Sequence, residues 1–465
     1  MKGHKWLVCT FPLFLLAGCA FENTKLARFN REAGYRLANL STNSLNSEEL
    51  FVVLSFSGGG TRAAAFSYGA LQELARTPIT SGGTKRRLLD EVDIISSISG
   101  GSFTAGYYGL YGERIFEDFD SLFLKRNVQF ALALRVLNPV NWPRLGSPYF
   151  DRIDLAAEYY DTLLFKHHTY QDLLARARRP LIVINATDMS LGSRFEFTQE
   201  QFDLLYSDLN TYPVSRAVAA SSAFPVLLSP VTLRNYPDRP DFVEPIWITT
   251  GLQDIDENSR RFKIASVARS YEDATNRPYI HLLDGGISDN LGLRGPARSL
   301  LSTDGQDSIL RKINRRQVKK IVIITVNAKP GEDVDADKHR RAPGLLGVLA
   351  TATSAPMENY SLETIDSLSD KIDEMVKAKQ TETDVLKELK QKCPDVKWPE
   401  VLPSIDFYNI ELSFDRVADL SLRKRLKALP TSFHLKPADI DLLKQAAGDL
   451  LRQSPKFREL VNALN

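Results

Sequence analysis

Three short stretches, far apart in the sequence, carry residues whose types and spacing suit acyl transfer. Residues 57–62 read Ser-Gly-Gly-Gly-Thr-Arg, residues 97–101 read Ser-Ile-Ser-Gly-Gly, and residues 284–286 read Asp-Gly-Gly. The first stretch offers backbone N–H groups for an oxyanion, the second a serine nucleophile, and the third a carboxylate base. No stretch is decisive alone, but an apolar segment precedes each, and together they predict one site.

The candidate nucleophile is Ser99. It follows an apolar, β-branched run, Val92–Ile98, which is typical of a buried strand, and it precedes a predicted helix at residues 103–110. A sharp strand-to-helix turn strains its central residue, lifts that side chain above the sheet, and needs small neighbours such as Gly100 and Gly101. A Ser-Gly-Gly turn with a solvated hydroxyl fits this stretch equally well when it is taken alone.

The glycine run lies between a predicted strand, Leu50–Phe56, and a predicted helix that begins near Arg62. Backbone N–H groups left bare at a helix N-terminus attract an anion, which in acyl transfer is the oxygen of the tetrahedral intermediate. Losing one such donor typically costs about 3–4 kcal/mol of barrier. We therefore expect Gly58, Gly59 and Gly60 to form an oxyanion hole, with the Arg62 charge beside it.

The same glycines also fit a dinucleotide fingerprint, Gly58-x-Gly60-x-x-Ala63. That alternative requires an acidic residue at the end of the following strand, about 20 residues further on, to hold a ribose. The next convincing strand ends at Ser99 and has no acid at its tip. A phosphate-binding P-loop is excluded because no Gly-Lys-Ser/Thr follows the glycines, so we expect no cofactor.

The candidate base is Asp284, which follows a predicted strand at residues 279–283. His281 lies three residues earlier on this strand, so its side chain points to the opposite face from Asp284. The other histidines lie in polar surroundings or in the N-terminal segment expected to be removed. We therefore predict a dyad in which Asp284 itself takes the Ser99 proton and later activates water. A turn that needs Asp and Gly for its backbone alone would look similar.

Taken in order, the three stretches resemble the patatin-like phospholipases and their cytosolic phospholipase relatives. That family carries a Gly-Gly-Gly-x-Arg oxyanion loop, a Gly-x-Ser-x-Gly nucleophile turn and an Asp-Gly dyad partner. Two further blocks resemble the bacterial members: residues 185–188 (Asn-Ala-Thr-Asp) with 195–197 (Phe-Glu-Phe), and residues 219–225 (Ala-Ala-Ser-Ser-Ala-Phe-Pro). The resemblance spans roughly residues 50–292, and this chain departs from it at Ser97, which replaces the first glycine of the nucleophile turn.

The resemblance implies a three-layer α/β/α sandwich with a Ser99–Asp284 dyad at the C-terminal edge of the sheet. It implies Gly58, Gly59, Gly60 and Arg62 as the oxyanion region. The implied activity is hydrolysis of lipid carboxylic esters through an acyl-enzyme, as in a phospholipase A or lysophospholipase. A membrane-anchored scaffold that kept the fold without catalysis, and an acyltransferase that uses the same dyad, remain alternatives.

The N-terminus has the pattern of a bacterial lipoprotein signal peptide. Lys2 and Lys5 precede an apolar run at residues 6–16, which is too short to span a membrane, and Leu-Ala-Gly-Cys19 resembles a lipobox. We expect removal of residues 1–18 and lipidation of Cys19, which would anchor the protein to a leaflet. By resemblance to enterobacterial lipoproteins, Ala20 favours the outer membrane of the cell envelope.

Composition bounds the remaining organisation. With 465 residues, 43% hydrophobic and 25% charged, the chain is globular, and the net charge of +2 disappears once the signal peptide leaves. A neutral protein argues against nucleic acid as a partner, and we see no metal-ligand cluster. We predict a tether with a possible helix at residues 19–48, a catalytic core at 49–330, and a helical extension at 331–465 that completes the same domain. Within these units we expect a loop near the site mouth at 138–149 and an exposed helix pair at 362–390.

Overall fold

The structure, a computed structural model, describes residues 21–41, 46–225, 227–301, 318–331, 340, 345–394, 396 and 405–465. The predicted signal peptide and the predicted lipidation site, Cys19, lie outside the described residues.

The described strands form one eight-stranded sheet and a separate hairpin. In chain order they are β1 (Leu50–Phe56), β2 (Pro78–Ser81), β3 (Thr84–Arg87), β4 (Val92–Ile98), β5 (Leu181–Asp188), β6 (Ser193–Glu196), β7 (Val231–Arg234), β8 (Tyr279–Asp284), β9 (Lys320–Asn327) and β10 (Asp406–Ser413). The sheet has the order β10-β9-β1-β4-β5-β8-β7, with β6 paired to β5, and β2 and β3 form the hairpin. The predicted bounds of β1 and β4 are those of the structure.

Five neighbouring strands of the sheet, β10, β9, β1, β4 and β5, run parallel. Every residue of β1 and β4 is buried, as expected for continuous apolar strands that helices cover on both faces. The connection from β1 through β4 to β5 crosses the sheet in one direction, and that from β9 to β10 in the other. Right-handed connections therefore place their helices on opposite faces and open a crevice where the order reverses.

The described helices cover both faces of this sheet. They are α1 (Gly60–Arg76), α2 (Gly100–Tyr111), α3 (Ile115–Phe119), α4 (Val128–Leu137), α5 (Trp142–Leu145), α6 (Arg152–Tyr160), α7 (Tyr170–Ala175), α8 (Gln199–Asp203), α9 (Val214–Ser221), α10 (Ile246–Leu252), α11 (Arg260–Ser270), α12 (Gly286–Asp289), α13 (Arg294–Leu301), α14 (Leu345–Lys392), α15 (Leu420–Lys427), α16 (Pro437–Gln453) and α17 (Pro455–Asn462). Helices α1, α2, α9 and α16 pack together in one layer, and α12, α13 and α14 pack together in the other. The predicted three-layer α/β/α sandwich is confirmed.

The strand that carries Asp284 runs in an unexpected direction. Strand β8 is antiparallel to β5 and pairs only with the last part of it, Ala186 to Asp188. It therefore enters from beyond the C-terminal edge of the parallel strands and ends after a short overlap. Asp284 lies beside Ala186 and so still reaches the predicted edge, because β8 is too short to run further.

The N-terminal segment is not the tether that its polar composition suggested. Residues 21–41 lie against the core, where the Tyr35 hydroxyl accepts a hydrogen bond from the Ile182 N–H (2.8 Å) and Lys25 forms a β-bridge with Ser207. The side chains of Tyr35 and Leu40 are buried. The one helical piece described in this segment is a single 3-10 turn, Leu37–Asn39, and not a longer helix.

Two other predictions need correction. The exposed pair of helices expected at residues 362–390 is one helix, the 48-residue α14, because the stretch contains no residue that breaks a helix. The loop expected at residues 138–149 contains a 3-10 turn, Pro139–Asn141, and the short helix α5. The C-terminal extension contributes β10, which pairs with β9, and helix α16, which packs against α1.

Candidate active site

Ser99 occupies the turn between β4 and α2. Its φ of 47° lies in the left-handed region that ordinary residues avoid, as expected for the strained centre of a strand-to-helix turn. The turn touches the glycine loop so closely that a Cβ at Gly100 would overlap the carbonyl oxygen of Gly60. Only glycine fits at position 100, so the sequence Ser-Gly-Gly brings the serine and the glycine loop together.

A cluster of buried hydroxyls holds the Ser99 backbone. The Ser221 Oγ at the end of α9 accepts a hydrogen bond from the Ser99 N–H (2.8 Å) and lies 2.9 Å from the Ser102 Oγ. The Ser102 hydroxyl also donates to the Ser97 Oγ (3.1 Å). Ser97, where this chain departs from the family's glycine, therefore contributes to the network that fixes the turn.

Asp284 is held by the same end of α9. Its N–H donates to the Ala223 carbonyl (3.0 Å), and the Gly285 N–H donates to the Ser221 carbonyl (3.1 Å). The Thr187 hydroxyl donates to the Asp284 carbonyl oxygen (2.8 Å). The block at residues 219–225 thus positions the nucleophile turn and the carboxyl at once, which gives a physical reason for its presence in the sequence.

The Asp284 carboxyl accepts a hydrogen bond from the Gly286 N–H (2.8 Å) and lies close enough to the Ser99 hydroxyl for that group to lower its pKa. The strand register brings the two residues together, because Ile98 pairs with Asn185 on one side of β5 and Asp284 pairs with Ala186 on the other. Burial raises the pKa of the Asp284 carboxyl from 3.8 to about 6, against the lowering effect of these two neighbours. Among the described residues the carboxyl forms no ion pair.

The glycine loop offers two free donors rather than three. The Gly58 N–H donates to the Asn290 carbonyl (3.0 Å) and is therefore not a free donor. In the part of the chain that the structure describes, the N–H groups of Gly59 and Gly60 donate to no protein acceptor. Both residues have positive φ, 135° and 59°, which turns their backbone away from the strand and favours glycine.

Arg62 is buried against the glycine loop. Its side chain is 1% exposed, and its guanidinium donates to the carbonyls of Ala328 (2.9 Å) and Leu429 (2.6 Å) and to the Thr431 Oγ1 (2.9 Å). The group therefore lies behind the glycine loop and ties it to residues far along the chain. Burial lowers the pKa of Arg62 to about 10. Its observed contacts are those of a positioning residue, and the effect of its charge on an oxyanion stays a prediction.

No histidine of the described residues takes part in this arrangement. The His281 Nδ1 lies 2.9 Å from the Thr232 Oγ1 on the neighbouring strand, on the face of β8 opposite to Asp284, as predicted. None of the other histidines in the described residues contacts Ser99 or Asp284; they are His167, His168 and His434.

Sequence reasoning missed the residues that support the site. Ser221 belongs to the block at residues 219–225 that resembles the bacterial patatin-like proteins. Nothing in its spacing, however, identified its hydroxyl as the acceptor for the Ser99 N–H. The Ser432 carbonyl accepts from the Thr61 N–H (2.9 Å), and a Cβ at Gly60 would overlap that oxygen. Such backbone contacts leave no signal in residue type.

The described residues contain no group of three or more His, Cys, Asp or Glu side chains that could hold a metal ion. Within the same residues, no helix has both the length and the apolar character needed to cross a bilayer.

The fold and the site define a class of α/β/α protein in which a buried serine and a buried carboxyl meet beneath a glycine loop. The sequence profile of the patatin-like phospholipase family matches residues 54–297, more than half of the chain. The chain belongs to that family.

Comparison with other proteins adds little to this assignment. No curated protein matches the sequence significantly. Among solved structures, human GIVD cytosolic phospholipase A2 is similar at 14% identity and a TM-score of 0.42, over 92% of this chain and 64% of that one. VipD from Legionella pneumophila is similar at 12% identity and a TM-score of 0.27, over 90% of this chain and 71% of that one. This chain therefore spans less than two thirds of the human protein, and likenesses this loose carry no inference about activity.

Proposed function

We propose that the protein hydrolyses carboxylic esters of lipids, as a phospholipase A or lysophospholipase, through a Ser99–Asp284 dyad. The observation that carries this proposal is the close approach of the Ser99 hydroxyl to the buried Asp284 carboxyl, near the free N–H groups of Gly59 and Gly60. Membership of the phospholipase family supports a lipid ester as the substrate class.

In the first half of the reaction the Ser99 Oγ attacks the ester carbonyl while the Asp284 carboxylate takes the hydroxyl proton. The carbonyl oxygen becomes an oxyanion, which the N–H groups of Gly59 and Gly60 stabilise. Asp284 then gives its proton to the leaving alcohol oxygen, and the acyl group stays on Ser99. In the second half water attacks the acyl-enzyme, Asp284 takes its proton, and return of that proton to Ser99 releases the carboxylic acid.

The environment of Asp284 suits this role. A pKa of about 6 leaves most of the carboxyl ionised at neutral pH, and it makes the carboxylate a better proton acceptor than a solvated aspartate. Ser99 is 8% exposed and Asp284 4%, so the reacting groups lie in a largely water-free environment where hydrogen bonds to the oxyanion are strong.

Hydrolysis of a soluble chromogenic ester by purified protein tests the proposal. Ser99→Ala and Asp284→Asn should each remove at least about 1,000-fold of kcat, whereas His281→Ala should keep wild-type activity. A fluorophosphonate probe should label the wild-type protein on the peptide that contains Ser99. Equal rates for wild type and Ser99→Ala would instead favour the scaffold, and acyl products of added alcohols in place of free acid would favour the acyltransferase.

We also propose that a lipid on Cys19 anchors the protein to the cell envelope, in the outer membrane. This rests on the lipobox-like Leu-Ala-Gly-Cys sequence alone. Mass spectrometry of the N-terminal peptide from membrane fractions should find diacylglycerol on Cys19, and Cys19→Ser should move the protein to the soluble fraction. An unmodified Cys19 on a membrane-bound protein would contradict this.

A further inference from the structure

Helices α4 and α5, the turn between them and the residues that follow expose a row of large apolar side chains. We call these residues the α4–α5 ridge, and each side chain is half or more exposed: Phe130, Leu134, Leu137, Val140, Trp142 and Tyr149. Apolar patches of this kind on soluble proteins mark surfaces that bind another apolar body.

The spacing within α4 shows that the exposure is a property of one helix face. Phe130, Leu134 and Leu137 are separated by four and three residues, so they form a single stripe. On an ordinary surface helix such a stripe faces the core, but here it faces solvent. The opposite side of α4 is anchored by Val128, which is fully buried.

The ridge is held rigidly. The Asn127 side chain caps α4 by accepting from the Phe130 N–H (2.9 Å). At the other end the Asn141 amide donates to the Arg135 carbonyl (2.7 Å), and the Trp142 indole N–H donates to the Val136 carbonyl (3.2 Å). The hydrogen bonds that end α4 therefore fix the Trp142 ring in its exposed position, and the apolar surface is part of the fold.

The ridge begins beside the candidate active site. The Gln129 N–H donates to the Phe433 carbonyl (3.3 Å), and Phe433 follows Ser432, whose carbonyl holds the glycine loop at Thr61. The Phe433 ring also contacts Phe103 in α2, the helix that begins next to Ser99 (5.6 Å between ring centres). A surface bound to the ridge would therefore lie next to the groups that react.

The segment that forms the ridge carries charges of one sign. Residues 125–149 contain four basic residues and no Asp or Glu. Lys125 and Arg144 pair with carboxylates from neighbouring elements, whereas Arg126 is exposed and Arg135 lies over the Tyr159 ring (4.8 Å). Apolar residues combined with basic ones are typical of helices that lie in a membrane interface and contact anionic headgroups.

We propose that the α4–α5 ridge binds the surface of an anionic lipid bilayer and so brings a lipid ester to Ser99. The delivery of a lipid ester to Ser99 rests on the proposed function. Binding of the ridge to a bilayer can be measured without catalysis. The Phe130, Leu134 and Leu137 side chains enter the acyl region, while Arg126 and Arg135 contact the headgroups.

Vesicle sedimentation tests the ridge directly. The protein is the full chain with Cys19→Ser, which removes the predicted lipid anchor, and with Ser99→Ala, which prevents turnover. It should bind vesicles of phosphatidylcholine with phosphatidylglycerol more tightly than vesicles of phosphatidylcholine alone. The triple variant Phe130→Gln, Leu134→Gln and Leu137→Gln should bind at least about tenfold more weakly.

A matched control comes from another exposed helix. Val376, Val385 and Leu389 are partly exposed apolar residues on α14, and replacing all three by glutamine should leave vesicle binding unchanged. Equal binding by the ridge variant and the wild-type form would overturn the proposal. So would a wild-type dimer that the ridge variant converts to a monomer, since the ridge would then cover a second copy of the chain.

A second measurement does not depend on the triple variant. In the same background, Trp142 fluorescence should be quenched by vesicles with brominated acyl chains, and Trp142→Phe should remove most of that quenching. Unchanged quenching in Trp142→Phe would overturn the proposal. In the form with an intact Ser99, the ridge variant should hydrolyse a soluble ester at the wild-type rate and vesicle lipid more slowly. If the wild-type protein hydrolysed neither the soluble ester nor vesicle lipid but still bound vesicles, the proposed function would be refuted and the proposed binding surface would stand.

Discussion

Replacing Asp284 with asparagine is expected to stabilise the fold while it abolishes hydrolysis. The carboxyl is buried without an ion pair in the described structure, and burial raises its pKa from 3.8 to about 6. A rise of this size corresponds to about 3 kcal/mol of folding free energy. Asparagine has nearly the same shape, and it can accept from the Gly286 N–H and donate to the Ser99 hydroxyl. It therefore keeps both contacts without a buried charge.

The sign of the effect follows from the direction of the pKa change. Because the folded protein holds the Asp284 proton more tightly than the unfolded chain does, wild-type stability falls as the pH rises from about 4 to about 6. Urea unfolding should therefore find Asp284→Asn more stable than the wild type by about 1–3 kcal/mol near pH 7.5. Near pH 4, where both side chains are neutral, the difference should approach zero.

Asp188 provides the matched control. It is also buried, but its carboxylate accepts from the Arg277 guanidinium (2.6 Å) and the Tyr271 hydroxyl (3.0 Å). Asp188→Asn should therefore lower stability at neutral pH by about 3 kcal/mol or more, since it leaves a cation without its partner. If Asp284→Asn lowered stability at neutral pH as Asp188→Asn does, the site would favour the Asp284 carboxylate and the reasoning would be refuted.

Three further predictions concern activity and the groups around the dyad. Since the base must be ionised, kcat/KM for a soluble ester should rise about tenfold per pH unit below about pH 6 and level off above it. A pH–rate profile that levels off already near pH 4 would contradict the raised pKa of Asp284. Arg62→Met leaves two buried carbonyls without donors and should cost about 3 kcal/mol or more in thermal unfolding, together with most of kcat; an unchanged melting temperature would contradict the contacts described. Gly100→Ala should abolish activity because its Cβ overlaps the Gly60 carbonyl. The control Gly146→Ala, whose Cβ would make only ordinary van der Waals contacts, should change stability by less than about 0.5 kcal/mol.

The parts of the fold that the sequence predicted correctly rest on short-range patterns. Strands β1 and β4 are continuous apolar runs, and such runs have sharp ends, so their bounds could be read directly. The separation of His281 from Asp284 follows from the two-residue period of a strand and needs no tertiary information. The contact between Ser99 and Asp284 was expected from the resemblance and is present, while their catalytic roles stay a prediction.

Other features could not be predicted because the partner that decides them lies far away in the chain. An apolar run contains no information on direction, so the antiparallel course of β8 depends on β5. An arginine after a glycine loop has the same sequence whether it faces the site or the interior. For Arg62 the choice is made by carbonyl groups at Ala328 and Leu429, more than 260 residues downstream. Every residue carries a backbone carbonyl, so no sequence motif could have predicted which ones accept from Arg62.

The hydrogen bond from Arg62 to the distant Leu429 carbonyl affects when the site can form during synthesis of the chain. During translation the serine, the carboxyl and the strands that carry them emerge from the ribosome well before Leu429 does. Until that late segment arrives, the glycine loop lacks its brace, so a growing or prematurely terminated polypeptide should not hold Ser99, Asp284 and the glycine loop in the arrangement described. The C-terminal segment is therefore a requirement for the site and not only for the outer layers of the fold.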